Sequence, residues 1–107
     1  MDVSTRIRLP KKVISCIINA FKKSFNPNDE LWLFGSRADL TKKGGDIDLY
    51  IKTQYNDPEA IGKAKMSFLN YIFMELEEQK IDLVIQYPNS DDLAIYKIAQ
   101  EEGIRIL

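Results

Sequence analysis

Acidic residues in two apolar segments are the residues of this sequence best suited to chemistry. The segment "DIDLYIK" carries Asp46 and Asp48, and the later segment "KIDLVI" carries Asp82. Residues two apart on a strand point to the same face of a sheet, so Asp46 and Asp48 project side by side. If the two segments are neighbouring strands, Asp82 lies beside them. Three carboxylates at one place are a typical oxygen-ligand set for Mg²⁺, which usually accompanies phosphates.

Plainer explanations remain open for the same acids. Asp46 and Asp48 are also typical of the solvent face of an edge strand, where charge discourages aggregation. We expect the strand with Asp82 to be central in the sheet, where an unpaired charge is costly. A salt bridge to a neighbour such as Lys80 is therefore the alternative to metal binding for Asp82.

The Gly35-Ser36 pair follows the apolar segment "ELWLF" and is a candidate phosphate site. Glycine lets the backbone come close to a ligand, and a serine at a helix start offers its hydroxyl and backbone N–H to an anion. The pair alone is more typical of a plain turn. The Gly35-Ser36 pair comes shortly before Asp46 in the sequence. The segment with the pair would therefore bind the phosphates of a metal–triphosphate, and the segment with Asp46 would bind the metal.

The elements that must position these residues alternate between helices and strands. Helical spacing of apolar residues predicts one helix after Pro10, one from Pro58 to about Gln79 with Asp57 as its cap, and one that "NSDD" caps and Gly103 ends. Strands are predicted at "ELWLFG", "DIDLYIK", "KIDLVIQY" and "IRIL", and a short helix at 36–43. The alternation favours an α/β or α+β domain with one small sheet covered by helices.

Composition narrows the class of protein. The length of 107 residues and the 45% apolar content predict one folded domain over residues 1–107. A net charge of −1, from 15 basic and 16 acidic residues, argues against broad binding of nucleic acid or anionic membranes.

The absence of histidine and the single cysteine exclude further kinds of site. Without histidine there is no His-based catalytic triad, and most zinc-site patterns are missing. The lone Cys16 cannot form an intramolecular disulfide and is expected to be a packed core thiol. No apolar run is long enough to predict a signal peptide or a membrane span, so we expect a cytoplasmic protein.

The stretch "LFGSRADLTKKGGDIDLYI", followed by "KIDLVI", resembles the signature of the DNA polymerase β-type nucleotidyltransferase superfamily. That signature is Gly-Ser, a spacer, Asp-x-Asp or Asp-x-Glu, and a third acidic residue on a later strand. In size the chain is most similar to the minimal nucleotidyltransferases (the MNT group). These are stand-alone domains often encoded beside a HEPN-domain ribonuclease toxin and acting as its antitoxin. The resemblance covers about residues 12–103 and implies an α+β nucleotidyltransferase fold with a small mixed sheet covered by helices.

The resemblance also implies a two-metal site for transfer of AMP from ATP. Asp46 and Asp48 would hold two Mg²⁺ ions, and Asp82 would complete the second metal site and help to deprotonate the acceptor hydroxyl. Two-metal sites of this kind stabilise the attacking and leaving oxygens of an in-line displacement.

The phosphate contacts that the resemblance implies fall in the "GSRAD" segment. Gly35 and Ser36 would bind the β- and γ-phosphates, and Arg37 would neutralise charge on the pyrophosphate. The chain departs from the family pattern at two positions. Asp39 stands where relatives commonly have a second arginine, and Gly45 stands where a serine commonly precedes the first aspartate.

The acceptor implied by the resemblance is a tyrosine of a HEPN-type toxin, which predicts a hetero-oligomer with that toxin. The chain has no residues left for a further RNA-binding domain and lacks a basic stripe, so we expect no direct nucleic-acid binding. Two other hypotheses remain open. One is a catalytically silent antitoxin that neutralises its partner by contact, and the other is a structural domain whose acids only face solvent.

Overall fold

A computed structural model describes residues 9–35, 46–76 and 80–107. The helices in these ranges are α1 (Lys11–Ser24), α2 (Pro58–Glu75) and α3 (Ala94–Glu102). The strands are β1 (Glu30–Phe34), β2 (Ile47–Lys52), β3 (Ile81–Gln86) and β4 (Ile104–Arg105). The short helix predicted at 36–43 lies outside the described residues.

The strands form one mixed sheet in the order β3-β2-β1-β4. β1 pairs antiparallel with β2 and with β4, and β2 pairs parallel with β3. The predicted α+β fold with a small mixed sheet covered by helices is confirmed. The expectation that the Asp82 strand is central was wrong, because β3 is an edge strand among the described residues. The inner position beside β2 is already taken by β1, so the crossover through α2 returns the chain to the outer side of β2.

One face of the sheet forms the main core with α1 and α2. Alternate strand residues point into it, as the period of a strand requires. The fully buried members from the strands are Leu31, Leu33, Leu49 and Ile51, and those from the helices are Ile17, Ala20, Phe68 and Ile72. Full burial of one large apolar side chain contributes about 1.5–3 kcal/mol, so this face is the main source of stability.

Cys16 lies in this core as a free thiol on α1, as predicted. Burial, followed by the charge of Glu75, raises the pKa of the Cys16 thiol. A buried thiol held in its protonated form is a weak nucleophile, which fits a packing role.

The start of α2 follows its sequence signals. The Asp57 side chain accepts a hydrogen bond from the Glu59 backbone N–H, and Pro58 occupies the first turn. The helix ends at Glu75, before the predicted limit near Gln79.

One residue of the predicted apolar stripe of α2 is not in the core. Phe73 has the apolar helical spacing of this stripe but is 50% exposed. The buried positions are Ala64, Phe68 and Ile72, which repeat every four residues and face the sheet. Phe73 is one position beyond Ile72 and therefore lies about 100° further round the helix.

The predicted capping of α3 by "NSDD" is not observed. The helix begins at Ala94 after Leu93, and no side chain caps its first turn. The Ser90 hydroxyl instead donates to the Tyr87 carbonyl oxygen in the turn after β3. These polar residues therefore end the strand and do not start the helix.

A buried carboxylate joins the end of the α1–β1 turn to the end of β2. Asp29 accepts hydrogen bonds from the Asn26 backbone N–H at 3.0 Å, the Thr53 hydroxyl at 2.7 Å and the Gln54 backbone N–H at 2.9 Å. Because three donors surround it, the buried charge is compensated.

Among the described residues, α3 alone covers the other face of the sheet. Phe34 and Tyr50 pack there against Tyr96 and Ala99, in a second, smaller cluster. Trp32 is only partly buried, at the margin of this cluster. In the part of the chain that the structure describes, no helix is long and apolar enough to cross a membrane.

Candidate active site

The parallel pairing of β2 with β3 places Asp48 directly beside Asp82. Neighbouring strands lie about 4.8 Å apart, and paired residues point to the same face. Both carboxylates therefore lie on the α3 face of the sheet, beyond the second cluster. The structure thus brings together two of the three predicted acidic residues.

The electrostatics of Asp48 follow from this position. Burial raises its pKa first, then the negative charges of Asp82 and Asp46, and last a side-chain hydrogen bond with Asp82. Each of these causes disfavours the ionised carboxylate. A cation placed between Asp48 and Asp82 would remove the repulsion.

The third acidic residue, Asp46, directly precedes β2 and has a different nearest neighbour. Its Oδ2 atom lies 3.4 Å from the Lys80 Nζ atom. The Lys80 carbonyl oxygen accepts a 3.0 Å hydrogen bond from the Ile47 backbone N–H, which keeps Lys80 beside the start of β2. The alternative of an ion pair between Lys80 and Asp82 is therefore not observed. Lys80 pairs with Asp46, in a solvent-exposed interaction worth at most about 1 kcal/mol.

Gly35 lies against Asp48 at the end of β1. Its φ angle is +73°, and a Cβ atom at this position would clash with the Asp48 carboxylate. Phe34, the last residue of β1, pairs with Asp48 in the sheet register. Glycine is thus required both by the backbone conformation and by the space that Asp48 occupies. Ser36 and Arg37 lie outside the described residues, so their phosphate contacts remain predictions.

The ligand atoms available at this site are of the type that a hard divalent cation prefers. Asp48 and Asp82 supply only oxygen ligands, and their mutual repulsion is relieved by bound positive charge. Within residues 9–35, 46–76 and 80–107, no group of three or more acidic or cysteine side chains is arranged to hold a metal ion. The predicted three-carboxylate arrangement is therefore present as a close pair, with Asp46 near enough for its charge to raise the pKa of Asp48.

A hydrogen-bond network missed by the sequence analysis supports the same face. The Tyr50 hydroxyl donates to Gln86 Oε1 and accepts from Gln100 Nε2 at 2.8 Å. Tyr50 is fully buried, and burial is the main cause of its raised pKa. This network joins β2, β3 and α3, and so holds α3 over the sheet beside Asp48. The sequence gives one indication of this network. Tyr50 is two residues after Asp48 on the same strand and therefore lies on the same face of the sheet.

A polar cavity of about 300 Å³ lies at the opposite end of β2 and β3. Polar groups from the strand ends and the following turn line it, among them Glu30, Lys52, Gln54, Gln86 and Asn89. None of the predicted catalytic or nucleotide-binding residues is part of this cavity. The carboxylate pair, at the start of β2 and β3, is the better candidate site because it combines clustered charge with a constrained glycine.

The comparison with protein families gives a match over most of the chain. Residues 14–106 match the family model described as a nucleotidyltransferase domain. The matched range contains all the acidic residues discussed above and the Gly35-Ser36 pair. No curated protein matches the chain.

Proposed function

Since the chain belongs to the nucleotidyltransferase domain family, we propose that it transfers AMP from ATP to a hydroxyl group of a partner protein. The observation that carries this proposal is the pairing of Asp48 with Asp82 beside Gly35. These residues belong to three different strands or strand ends, so the fold itself assembles them. A site built on strands holds its groups more precisely than one built on loops.

Asp46, Asp48 and Asp82 would hold Mg²⁺, which would neutralise phosphate charge and acidify the acceptor hydroxyl. Asp48 contributes a carboxylate whose ionised form needs a cation for stabilisation. Asp82 is more exposed than Asp48 and would accept the proton of the incoming hydroxyl. Lys80 would have to leave Asp46 before that carboxylate could act as a ligand.

The phosphates would be bound next to Gly35. Because Gly35 has no side chain, the Asp48 carboxylate lies directly against its backbone, so a phosphate bound by that backbone could share a cation with Asp48. Ser36 and Arg37 follow directly in the sequence and would supply a hydroxyl and a positive charge to the triphosphate.

The resemblance to the MNT group supports a HEPN-type toxin as the partner and one of its tyrosines as the acceptor. Modification of that tyrosine would silence the toxin, so the protein would act as an antitoxin. Among the described residues, the second cluster around α3 does not include Asp48 or Asp82, which is consistent with entry of a protein side chain at this end of the sheet.

A second candidate function is neutralisation by contact alone. Two observations favour it. Asp39 stands where relatives commonly have arginine, and Lys80 forms an ion pair with Asp46, one of the proposed metal ligands. In this case the site would bind nucleotide without transferring it, or would be unused.

The test is transfer of label from α-³²P-ATP to the partner in the presence of Mg²⁺. Asp48→Asn should lower the rate at least about 100-fold, because it removes a ligand of the reacting centre. The matched control is Asp91→Asn, an exposed acid outside the site, which should leave the rate unchanged.

Absence of transfer from any nucleotide with any divalent cation would disprove the enzymatic proposal. A variant carrying both Asp48→Asn and Asp82→Asn separates the two candidates in cells. Continued neutralisation of the toxin by this variant would favour contact, and loss of neutralisation would favour transfer.

A further inference from the structure

The outer edge of β3 has no strand partner among the described residues. The carbonyl oxygens of Lys80 and Gln86 accept hydrogen bonds from the backbone N–H groups of Ile47 and Thr53 in and after β2. Alternate residues of a parallel strand bond to its neighbour, so the residues between them point their backbone groups outward. Those outward residues are Ile81, Leu83 and Ile85. The Ile85 carbonyl oxygen also accepts a long, 3.4 Å hydrogen bond from the Tyr96 hydroxyl, and its second lone pair can still accept from a further strand.

This edge lacks the usual protection against pairing. Edge strands are commonly short or carry lysine, proline or a bulge. β4, at the other edge, has only two residues, Ile104 and Arg105. β3 has six residues, "IDLVIQ", with one charge and no lysine, proline or glycine. Most of its side chains are only partly buried.

An exposed apolar flank of α2 accompanies this edge. α1 contacts one flank of α2, where the Ser24 hydroxyl donates to the Ser67 hydroxyl at 3.0 Å and the Lys23 Nζ atom lies 5.1 Å from the centre of the Tyr71 ring. The flank turned away from α1 carries apolar or small residues at spacings of four, three and four, which form a continuous stripe. They are Gly62, Met66, Leu69 and Phe73.

The two features lie on the same side of the molecule. The chain end at Leu107 runs beside β1, where its carbonyl oxygen accepts from the Leu31 backbone N–H, and it lines a cavity together with Phe21 of α1 and Phe25, which directly follows α1. α1 therefore covers the β1–β4 side of the sheet, and the flank of α2 opposite α1 faces the β3 side. Met66 is 57% exposed and Phe73 50% exposed on that flank.

We propose that β3 pairs antiparallel with β3 of a second copy of this chain, about a two-fold axis at Val84. Leu83 of one copy then lies opposite Ile85 of the other, so the outward backbone groups of both residues form hydrogen-bonded pairs. The two four-stranded sheets become one continuous sheet, and the α2 flanks of both copies meet on the same face.

The sequence of β3 favours β3 of a second copy as the strand that pairs with this edge. In this register Asp82 lies opposite Gln86, and Val84 lies opposite Val84 of the second copy. Gln86 Oε1 already accepts from the Tyr50 hydroxyl, which leaves the amide group as a donor toward the opposite carboxylate. A register centred on Asp82 would instead place two like charges directly opposite each other, which is unfavourable. The strand is thus complementary to itself in polarity and in apolar character.

The dimer does not depend on the proposed transfer reaction. The contact is formed by backbone groups of β3, the Val84 side chains, the pair of Asp82 with Gln86 and the apolar flank of α2, and it requires neither nucleotide nor metal, while Asp82 stays beside Asp48. A dimeric protein without transfer activity, or an active monomer, would therefore separate the two proposals.

The first experiment is sedimentation equilibrium of the full chain over a wide concentration range. We expect a mass that rises from the 12.4 kDa of one chain to twice that value. Val84→Lys and Val84→Glu should each sediment as a monomer, because like charges then lie opposite each other at the axis. An equimolar mixture of the two variants should restore the dimer, and circular dichroism checks that each variant is folded.

The second experiment tests the α2 flank and the strand edge. Phe73→Ser should weaken dimerisation at least ten-fold, whereas the control Met74→Ser should not, although Met74 is 87% exposed on the same helix. Amide hydrogen exchange at Leu83 and Ile85 should be slow in the dimer and fast in Val84→Lys.

Three results would overturn the proposal. They are a wild-type chain that stays monomeric at every concentration, a dimer that survives Val84→Lys, and a mixture of the charged variants that does not associate. Pairing of this edge only with a strand of another protein would give the first of these results.

Discussion

On one face of the sheet, α1 and α2 bury the alternate residues of β1 and β2, whereas on the other face α3, among the described residues, covers only part of the strands. The covered face is apolar and includes Leu33, Leu49 and Ile51. The partly covered face carries Asp48 and Asp82 where the helix cover ends. The difference shows how a small domain can hold charges that repel each other. The closely packed face supplies the stability that lets the open face carry unfavourable charge for chemistry.

The largest expected effect comes from the closely packed face. Phe68 is fully buried, and its ring lies edge-on to Phe25 with 6.0 Å between the ring centres. Phe68→Ala should lower the free energy of unfolding by about 3–5 kcal/mol, because it removes apolar burial and leaves a cavity. Urea unfolding measures this change in the free energy of unfolding. Met74→Ala, on the exposed side of the same helix, should change it by less than about 0.5 kcal/mol, and a similar loss in both variants would contradict the contrast between the faces.

The next effect lies at the border of the open face. Gly35→Ala should lower the free energy of unfolding by about 1–2 kcal/mol, since a residue with a Cβ atom disfavours the left-handed conformation. The new methyl group would also displace the Asp48 carboxylate, so nucleotide transfer should fall more than stability does. Thermal unfolding and the labelling assay on the same sample measure both quantities.

The matched control is Gly62→Ala, where the new methyl group meets nothing within 4 Å. Gly62 lies inside α2, so alanine should stabilise the protein by about 0.8–1 kcal/mol. Equal effects of the two substitutions would show that Gly35 is not constrained by its φ angle or by Asp48.

A smaller effect is expected for the network that holds α3 on the open face. Tyr50→Phe should lower the free energy of unfolding by about 1–2 kcal/mol, because it leaves Gln86 and Gln100 without their shared partner. Tyr96→Phe removes only a long, 3.4 Å bond to the Ile85 carbonyl oxygen and should cost less. Chemical denaturation of both variants gives the comparison, and a larger loss for Tyr96→Phe would contradict the assigned role of Tyr50.

The smallest effect has the opposite sign. Asp48→Asn should raise the free energy of unfolding by about 0.5 kcal/mol in the presence of a chelator, a value reduced by solvent screening at this partly exposed site. The reason is that the substitution removes a carboxylate whose ionised form is disfavoured by burial and by its neighbours. Addition of Mg²⁺ should stabilise the wild type and not the variant, which reverses their order in thermal unfolding. Destabilisation by Asp48→Asn in the chelator would show that the carboxylates do not repel each other.

Sequence reasoning succeeded where the pattern is local. The period of two residues places Asp48 and Ile47 on opposite faces, and the Asp57-Pro58 pair marks the start of α2. Both features depend only on neighbouring residues, so they are readable without knowledge of the fold.

Sequence reasoning failed where the answer depends on the order of the strands. An apolar segment with one acid, such as β3, reads as a central strand, but a half-covered edge strand has the same composition. The pairing of Lys80 with Asp46 depends on where β3 begins relative to β2, and no sequence pattern encodes that register. Phe73 has the apolar spacing of a core residue and is nevertheless half exposed, because spacing alone does not tell how wide the buried stripe of α2 is.

The buried Asp29 has a consequence for how freely the hairpin of β1 and β2 can be altered. It ties the beginning of β1 to the residues after β2, at the end of the hairpin away from the connecting segment 36–45. The register of the two strands is therefore secured without help from that connection, and longer connections add little closure entropy. A protein engineer can accordingly test residues 38–44 of the connection as an insertion point for a reporter, with Ser36 and Arg37 kept for the phosphates that they are proposed to bind.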